Sequence, residues 1–249
     1  MNELHPIAPP DAFHDAVADA GLELDAAELG RLGRYLTLLL DANRRFNLTA
    51  IRDPDEAWMR HVFDSLTLVP YVLQAGASTL ADIGSGGGLP GIPLAIVLPD
   101  LSVTLVETTG KKATFLREVV ATLGLANVTV VNDRVETLGQ DRTHREQYDV
   151  VTARALGRLN VLLELVIPLV RVGGHGLAIK GEQAASEVDA AKRALHLLHT
   201  HVVDLARTPT GTIIVLEKQR KTPRIYPRRA GEPKRTPLGA SDGPAARAR

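Results

Sequence analysis

The segment Asp82-Ile83-Gly84-Ser85-Gly86-Gly87-Gly88-Leu89-Pro90-Gly91 crowds glycine between an apolar run and a helical pattern. Glycine lets a backbone turn tightly and come close to a ligand. Open α/β sheets bind ligands at the carboxyl ends of their strands, near the point where strand order reverses. A turn of this kind therefore suits a nucleotide or nucleoside. A dinucleotide fingerprint requires glycine at its first, third and sixth positions. Gly84 and Gly86 satisfy two of these, but Leu89 fills the sixth. A Walker loop is excluded, because no Gly-Lys-Ser/Thr closes the turn. Glu107 lies 23 residues beyond Gly84, at the end of the next apolar run, where a carboxylate suits ribose hydroxyls. The competing reading is a tight turn with an unrelated surface carboxylate.

Further candidates follow the later strands. Asp133-Arg134-Val135-Glu136 comes after the third, where Val135 can face a purine and Glu136 can bond its polar edge. Arg154 ends the fourth, at the mouth of the cleft, and suits a carboxylate or phosphate through a two-pronged hydrogen bond. Its alternative is a capping or surface arginine. His61, Asp64 and Ser65 precede the first strand. They either line the pocket or bond locally at a helix end. Lys111 and Lys112 open a helix, where cations oppose the macrodipole, which favours an RNA phosphate contact. Lys180, at the end of the fifth strand, is a second phosphate candidate. His175, among glycines, reads as a turn residue without a role.

The elements that must hold these residues are legible from periodicity. Asp11 can cap a helix ending near Gly21, and Asp25 with Glu28 forms a capping-box pattern. Leu29, Leu32, Leu36, Leu39 and Leu40 then recur at helical spacing. Asp53-Pro54 is a cap with proline at the first helical position, and Trp58, Val62, Leu66 and Val69 share a face. From Thr79 onward, strands at 79–83, 102–107, 127–132, 147–153 and 174–180 alternate with helices at 90–98, 110–123, 158–171 and 183–200. Runs 201–207 and 211–217, separated by Thr208-Pro209-Thr210, form an antiparallel hairpin. The class is α/β, a mostly parallel sheet with helices on both faces. A terminal hairpin added to such a sheet is the arrangement of methyltransferases that use S-adenosylmethionine (AdoMet). Three regions follow: residues 1–75 as a helical region packed on the core, 76–218 as the catalytic domain, and 219–249 as a basic, flexible tail.

Composition narrows the chemistry. The chain has no cysteine, which removes disulfides, thiolate metal sites and cysteine nucleophiles. No cluster of acidic ligands at metal spacing is apparent, so no metal is expected. The N-terminus lacks a signal-peptide pattern, and the longest apolar stretch, Val161 to Val170, is too short to span a bilayer. These features imply a cytoplasmic protein without membrane partners. The formal net charge of zero conceals ten Lys/Arg against Glu232 and Asp242 from Lys218 onward, and a basic end of this kind suits an anionic partner.

The missing residues constrain methyl transfer. Carbon-5 pyrimidine methylation generally requires a cysteine. Exocyclic-amine methylation usually uses Asn/Asp-Pro-Pro-aromatic where this chain has Thr152-Ala153-Arg154-Ala155. A ring nitrogen with a free lone pair, such as guanine N7, needs no general base. Positioning of reacting atoms about 3–3.5 Å apart then suffices.

The chain resembles the RsmG (GidB) family of bacterial 16S rRNA guanine-N7 methyltransferases. The residues that carry the likeness are Phe46-Asn47-Leu48-Thr49, Arg60-His61-Val62-Phe63-Asp64-Ser65, Asp82 to Pro93, Gly110-Lys111-Lys112 with Phe115-Leu116, Arg134-Val135-Glu136, Arg154-Ala155 and Lys180-Gly181. The tail Tyr226-Pro227-Arg228-Arg229-Ala230-Gly231 resembles that of Gram-positive members. The resemblance spans roughly residues 25–238. It implies a Rossmann-like class I methyltransferase fold with seven strands and a target guanine in the decoding-region loop of 16S rRNA, a position 527-type guanine. It implies AdoMet contacts at Gly84, Leu89, Val135, Glu136 and Arg154, to which the reading of the residues adds Gly86 and Glu107. His61 and Arg154 are the candidates beside the target base. Lys111, Lys112, Lys180, Arg228 and Arg229 are the candidates for RNA, the partner being 16S rRNA or the 30S subunit, met by a monomer. A small-molecule methyltransferase and a non-catalytic RNA-binding protein stay open as alternatives. A nicotinamide oxidoreductase is disfavoured by Leu89. Ser241 to Arg249 lie outside the pattern.

Overall fold

The computed structural model describes residues 5–239. One sheet is formed by β1 (Thr79–Ile83), β2 (Ser102–Val106), β3 (Val128–Val131), β4 (Tyr148–Arg154), β5 (Val170–Lys180), β6 (Thr200–Thr208) and β7 (Gly211–Lys218). Its order is β3-β2-β1-β4-β5-β7-β6. β1 to β5 pair in parallel, and β7 lies antiparallel between β5 and β6. Strand order reverses between β1 and β4, so Ile83 and Arg154 flank the crevice at their carboxyl ends.

Helices cover both faces, which is why β1 and β4 are buried almost throughout. Alternate residues of a strand point to opposite faces, and Leu80 and Ala81 enter different cores. The first core joins Leu80, Leu105 and Val150 to α1 (Asp11–Asp19), α2 (Ala26–Asn43), α3 (Pro54–Ala57), α4 (Asp64–Leu66), α5 (Val69–Gln74), α6 (Gly91–Val97) and α7 (Gly110–Leu123). The second joins Ala81, Val151 and Ile214 to α8 (Val135–Leu138), α9 (Leu159–Val166), α10 (Ala184–Ala190) and α11 (Lys192–Leu197). A short α12 (Glu232–Arg235) follows the sheet. The N-terminal helices thus share one core with the sheet. No helix of the described residues is long and apolar enough to cross a membrane.

The caps act as the sequence suggests at two sites. Asp25 and Glu28 bond each other's backbone N–H at 2.7 Å, and Asp53 accepts from Glu56 N at 2.8 Å. Asp11 does not cap α1: it is the first helical residue, behind Pro10, and no side chain caps that end. Trp58, Val62, Leu66 and Val69 are all buried, but the helix widens to π-helical geometry over Trp58–Phe63 between α3 and α4. α9 stops at Val166, well short of residue 171, because Pro168 cannot continue it and β5 begins at Val170. The helix expected over 183–200 divides at the buried Ala191, and both α10 and α11 pack on α9 and β6. β5 also begins earlier than expected, and His175 lies within it, paired with Glu217 and Val150, where a turn was expected.

The largest departure is the C-terminal segment. Residues 219–239 form a packed strap, in contrast to the flexible tail expected from residue 219. Tyr226, Pro233 and Leu238 are buried. Arg228 clasps the fully buried carboxylate of Glu164 on α9 through its backbone N, Nε and Nη2 at 2.6–2.8 Å. Arg145 donates to the carbonyls of Thr222, Pro223 and Tyr226. The ammonium of Lys218, at the strap's root, meets Glu146 at 2.8 Å and the carbonyls of Ile167 and Val170. Burial pushes Lys218 down to about 8, and the Glu146 carboxylate opposes that fall. The strap lacks periodicity because its anchors are isolated residues held by partners distant in sequence. Residues 240–249 lie outside the described residues.

Candidate active site

The turn between β1 and α6 is pinned by its neighbours and bare over Gly86. Gly84 N and Ser85 N donate to Val106 O at 2.9 and 3.1 Å, and Ser85 Oγ donates to Asp82 O at 2.9 Å. The buried Asp82 carboxylate accepts from Gly91 N at 3.2 Å and Thr152 Oγ1 at 3.0 Å. Burial raises Asp82 to about 6, against the lowering effect of the neighbouring Ser85 hydroxyl and of its bonds with Thr152 and Gly91. A Cβ on Gly91 would collide with Leu105 and press on Asp82. Gly91 therefore provides the close helix–strand approach that Leu89 cannot, and Leu89 is itself buried. Gly86 has φ +56°, and a Cβ there would meet nothing nearer than Gly84 O at 3.8 Å. The space over Gly86 is open, whereas Leu156 lies over Gly84.

Glu107 reaches this turn. Its Oε2 accepts from Gly86 N at 3.0 Å and its Oε1 from Thr109 N at 2.7 Å, with the side chain buried. Val135 is buried at the start of α8. Glu136 turns one oxygen to the strap, accepting from Gly231 N at 2.8 Å.

Arg154 lies at the centre of the opposite wall. Its Nη1 donates to Arg60 O at 3.0 Å and to Asp64 Oδ2 at 3.2 Å, and its Nη2 lies 3.4 Å from His61 Nδ1. The other oxygen of Asp64 accepts from Thr210 Oγ1, in the β6–β7 turn. His61 Nε2 is 2.7 Å from Thr49 Oγ1. Burial, reinforced by the Arg154 charge, holds His61 down to about 4, so the ring is neutral at pH 7. His61 and Asp64 therefore join the Arg154 cluster, whereas Ser65 bonds only locally, to His61 O at 2.6 Å. The helix that carries them is π-helical here, a geometry frequent at functional sites. Just beyond Arg154, Ala155 holds φ +56°, a strained value for a residue with a Cβ.

Two of the expected phosphate contacts have other partners. The Lys180 ammonium pairs with Glu187 at 2.7 Å and donates to Gly157 O. Arg228 is occupied by Glu164. Each satisfies a buried or half-buried carboxylate, which explains its place in the sequence without RNA. Lys111 and Arg229 are exposed, and Lys112 is half-buried. The sequence reading also overlooked two residues. Tyr35, on α2, donates to Gly87 O at 2.9 Å and so fastens the glycine turn from the helical region. Its only signal was an aromatic on the Leu32–Leu36–Leu39 face. Thr210 carried no signal beyond its place in a turn.

Strand order, the reversed seventh strand and the pinned glycine turn define a Rossmann-like class I methyltransferase of the AdoMet-dependent kind. An O-methyltransferase from Bacillus cereus, solved in complex with SAH, superposes with a TM-score of 0.54 at 20% identity, covering 82% of this chain and 96% of that one. That likeness concerns the fold. The family model described as rRNA small subunit methyltransferase G (GidB) matches residues 28–212, and the chain belongs to this family. The ribosomal RNA small subunit methyltransferase G of Sorangium cellulosum is 50% identical over 226 residues, 90% of this chain and 94% of the relative. That of Leuconostoc citreum is 43% identical over 236 residues, covering 92% and 98%.

Proposed function

We propose that the chain transfers a methyl group from AdoMet to N7 of a guanine in the decoding-region loop of 16S rRNA. The observation that carries the reading is the bare, pinned turn at Gly86 beside the buried Glu107, in a chain of this family. The turn leaves main chain open to a ligand, and Glu107 has oxygen lone pairs left for ribose hydroxyls after receiving two N–H groups. AdoMet supplies an electrophilic methyl on a sulfonium sulfur. Gly84, Gly86 and Leu89 would hold it from the turn, Val135 and Glu136 from α8, and Arg154 from the facing wall.

The residues around Arg154 fit an acceptor that needs no proton removed. Burial and the Arg154 charge hold His61 down to about 4, which makes the ring a poor proton acceptor, and Asp64 is engaged by Arg154 and Thr210. Their work is to orient Arg154 and the base, and preorganised groups of this kind stabilise charge as it moves to the acceptor. Lys111, Lys112 and Arg229 are the RNA contacts retained from the sequence. The reading is of a cytoplasmic monomer whose partner is 16S rRNA or the 30S subunit. Tritiated methyl transfer onto rRNA from cells lacking the enzyme tests it. Label is expected at one guanine N7 in the decoding-region loop. Label on another base, or none, refutes the assignment.

A further inference from the structure

Between the strap and the loops after β3 and β4 lies a cavity of about 700 Å³. Its lining includes Leu156, Val161 and Pro233, which give it an apolar component, and the exposed cations Arg134, Arg158 and Lys234. None of these three cations forms an ion pair among the described residues. The carboxylate in the lining, Glu136, bonds the strap at Gly231 N. Glu232 at the start of α12 lies 3.8 Å from Arg228. Arg158 follows Arg154 by four residues, and Ala155, Leu156 and Gly157 between them all line the cavity.

Apolar walls with three unpaired cations match a nucleotide of an RNA strand, with its base against the side chains and its phosphates on the charges. A neutral adenine alone gives the cations nothing to bind. We infer that this cavity holds a nucleotide flanking the target guanine, with Arg158 and Lys234 on its phosphates, so that the strap is part of the RNA-binding surface. The inference rests on the rRNA reading above.

The test is the double variant Arg158→Gln/Lys234→Gln of the full chain. Filter binding to labelled 16S rRNA, deproteinised and as 30S subunits, is measured against salt, and AdoMet binding is followed by calorimetry. RNA affinity should fall on the order of tenfold, and the slope of log K against log salt should become shallower by about 1.4, at ~0.7 per phosphate on single strands. AdoMet affinity should not change. Unchanged RNA affinity and slope overturn the inference. An AdoMet affinity that falls as far as RNA affinity also overturns it, because the cavity would then belong to the cofactor. Methyl transfer by the wild-type chain, measured alongside, tests the underlying reading separately.

Discussion

The turn after β1 and the C-terminal strap are built in opposite ways. The turn leaves the space over Gly86 free of side chains and is fixed by groups around it, among them Asp82, Ser85 and Tyr35. The strap has little main-chain pairing and is fixed by charged side chains, Arg228 on Glu164 and Arg145 on a row of carbonyls. Where a ligand must approach, bulk is removed. Where a segment without periodicity must be tied to a core, buried or half-buried charges tie it. Variants of the strap's buried anchors should therefore affect stability and not AdoMet affinity, and variants that fill the space over Gly86 should affect AdoMet binding.

The largest expected effect belongs to Glu164→Gln, which strands the Arg228 guanidinium. Breaking a buried pair by changing one partner costs about 3 kcal/mol, read by urea unfolding, with AdoMet affinity unchanged. A loss of AdoMet affinity of the same size would merge the two regions into one unit. Gly86→Leu should abolish AdoMet binding, because its side chain enters the open space over the turn. Its left-handed backbone adds about 1–2 kcal/mol of strain. Calorimetry showing binding at wild-type strength would break the comparison from the other side. Tyr35→Phe leaves Gly87 O without its buried donor, and about 1–2 kcal/mol of stability should be lost, with a smaller drop in AdoMet affinity as the turn loosens. The smallest effect concerns pH. His61 titrates near 4 when folded, against an ordinary 6.5 when unfolded. Between those values the unfolded chain binds more protons, so stability falls as pH falls. Across that window the wild type should lose thermal stability relative to His61→Gln, and parallel melting curves would show that His61 is not held neutral.

The parts that were legible in the sequence are those with local rules. Strand–helix alternation, the Asp25–Glu28 box and the glycine turn each follow from neighbours a few residues apart. The misread parts depend on partners far away in the chain. Nothing near Arg228 announces Glu164, 64 positions earlier, so that cation reads as free for phosphate. Lys180 is a different case, because its partner Glu187 stands only seven positions on, across the turn into α10, where a local pairing was within reach of the sequence. Tyr35 reads as one more core residue because its acceptor is 52 positions away. The helix end at Val166 was recoverable from Pro168 alone, and the run of apolar residues obscured it.

Glu107 accepts one N–H on each oxygen, from Gly86 and Thr109. A glutamate free to rotate gives up about 1–2 kcal/mol of rotamer entropy when it is immobilised. Here the chain has frozen those torsions during folding, so a sugar that settles on this carboxylate has no such ordering left to impose. On the proposed placement of the ribose, affinity there is in this sense stored in the folded state before any nucleoside arrives.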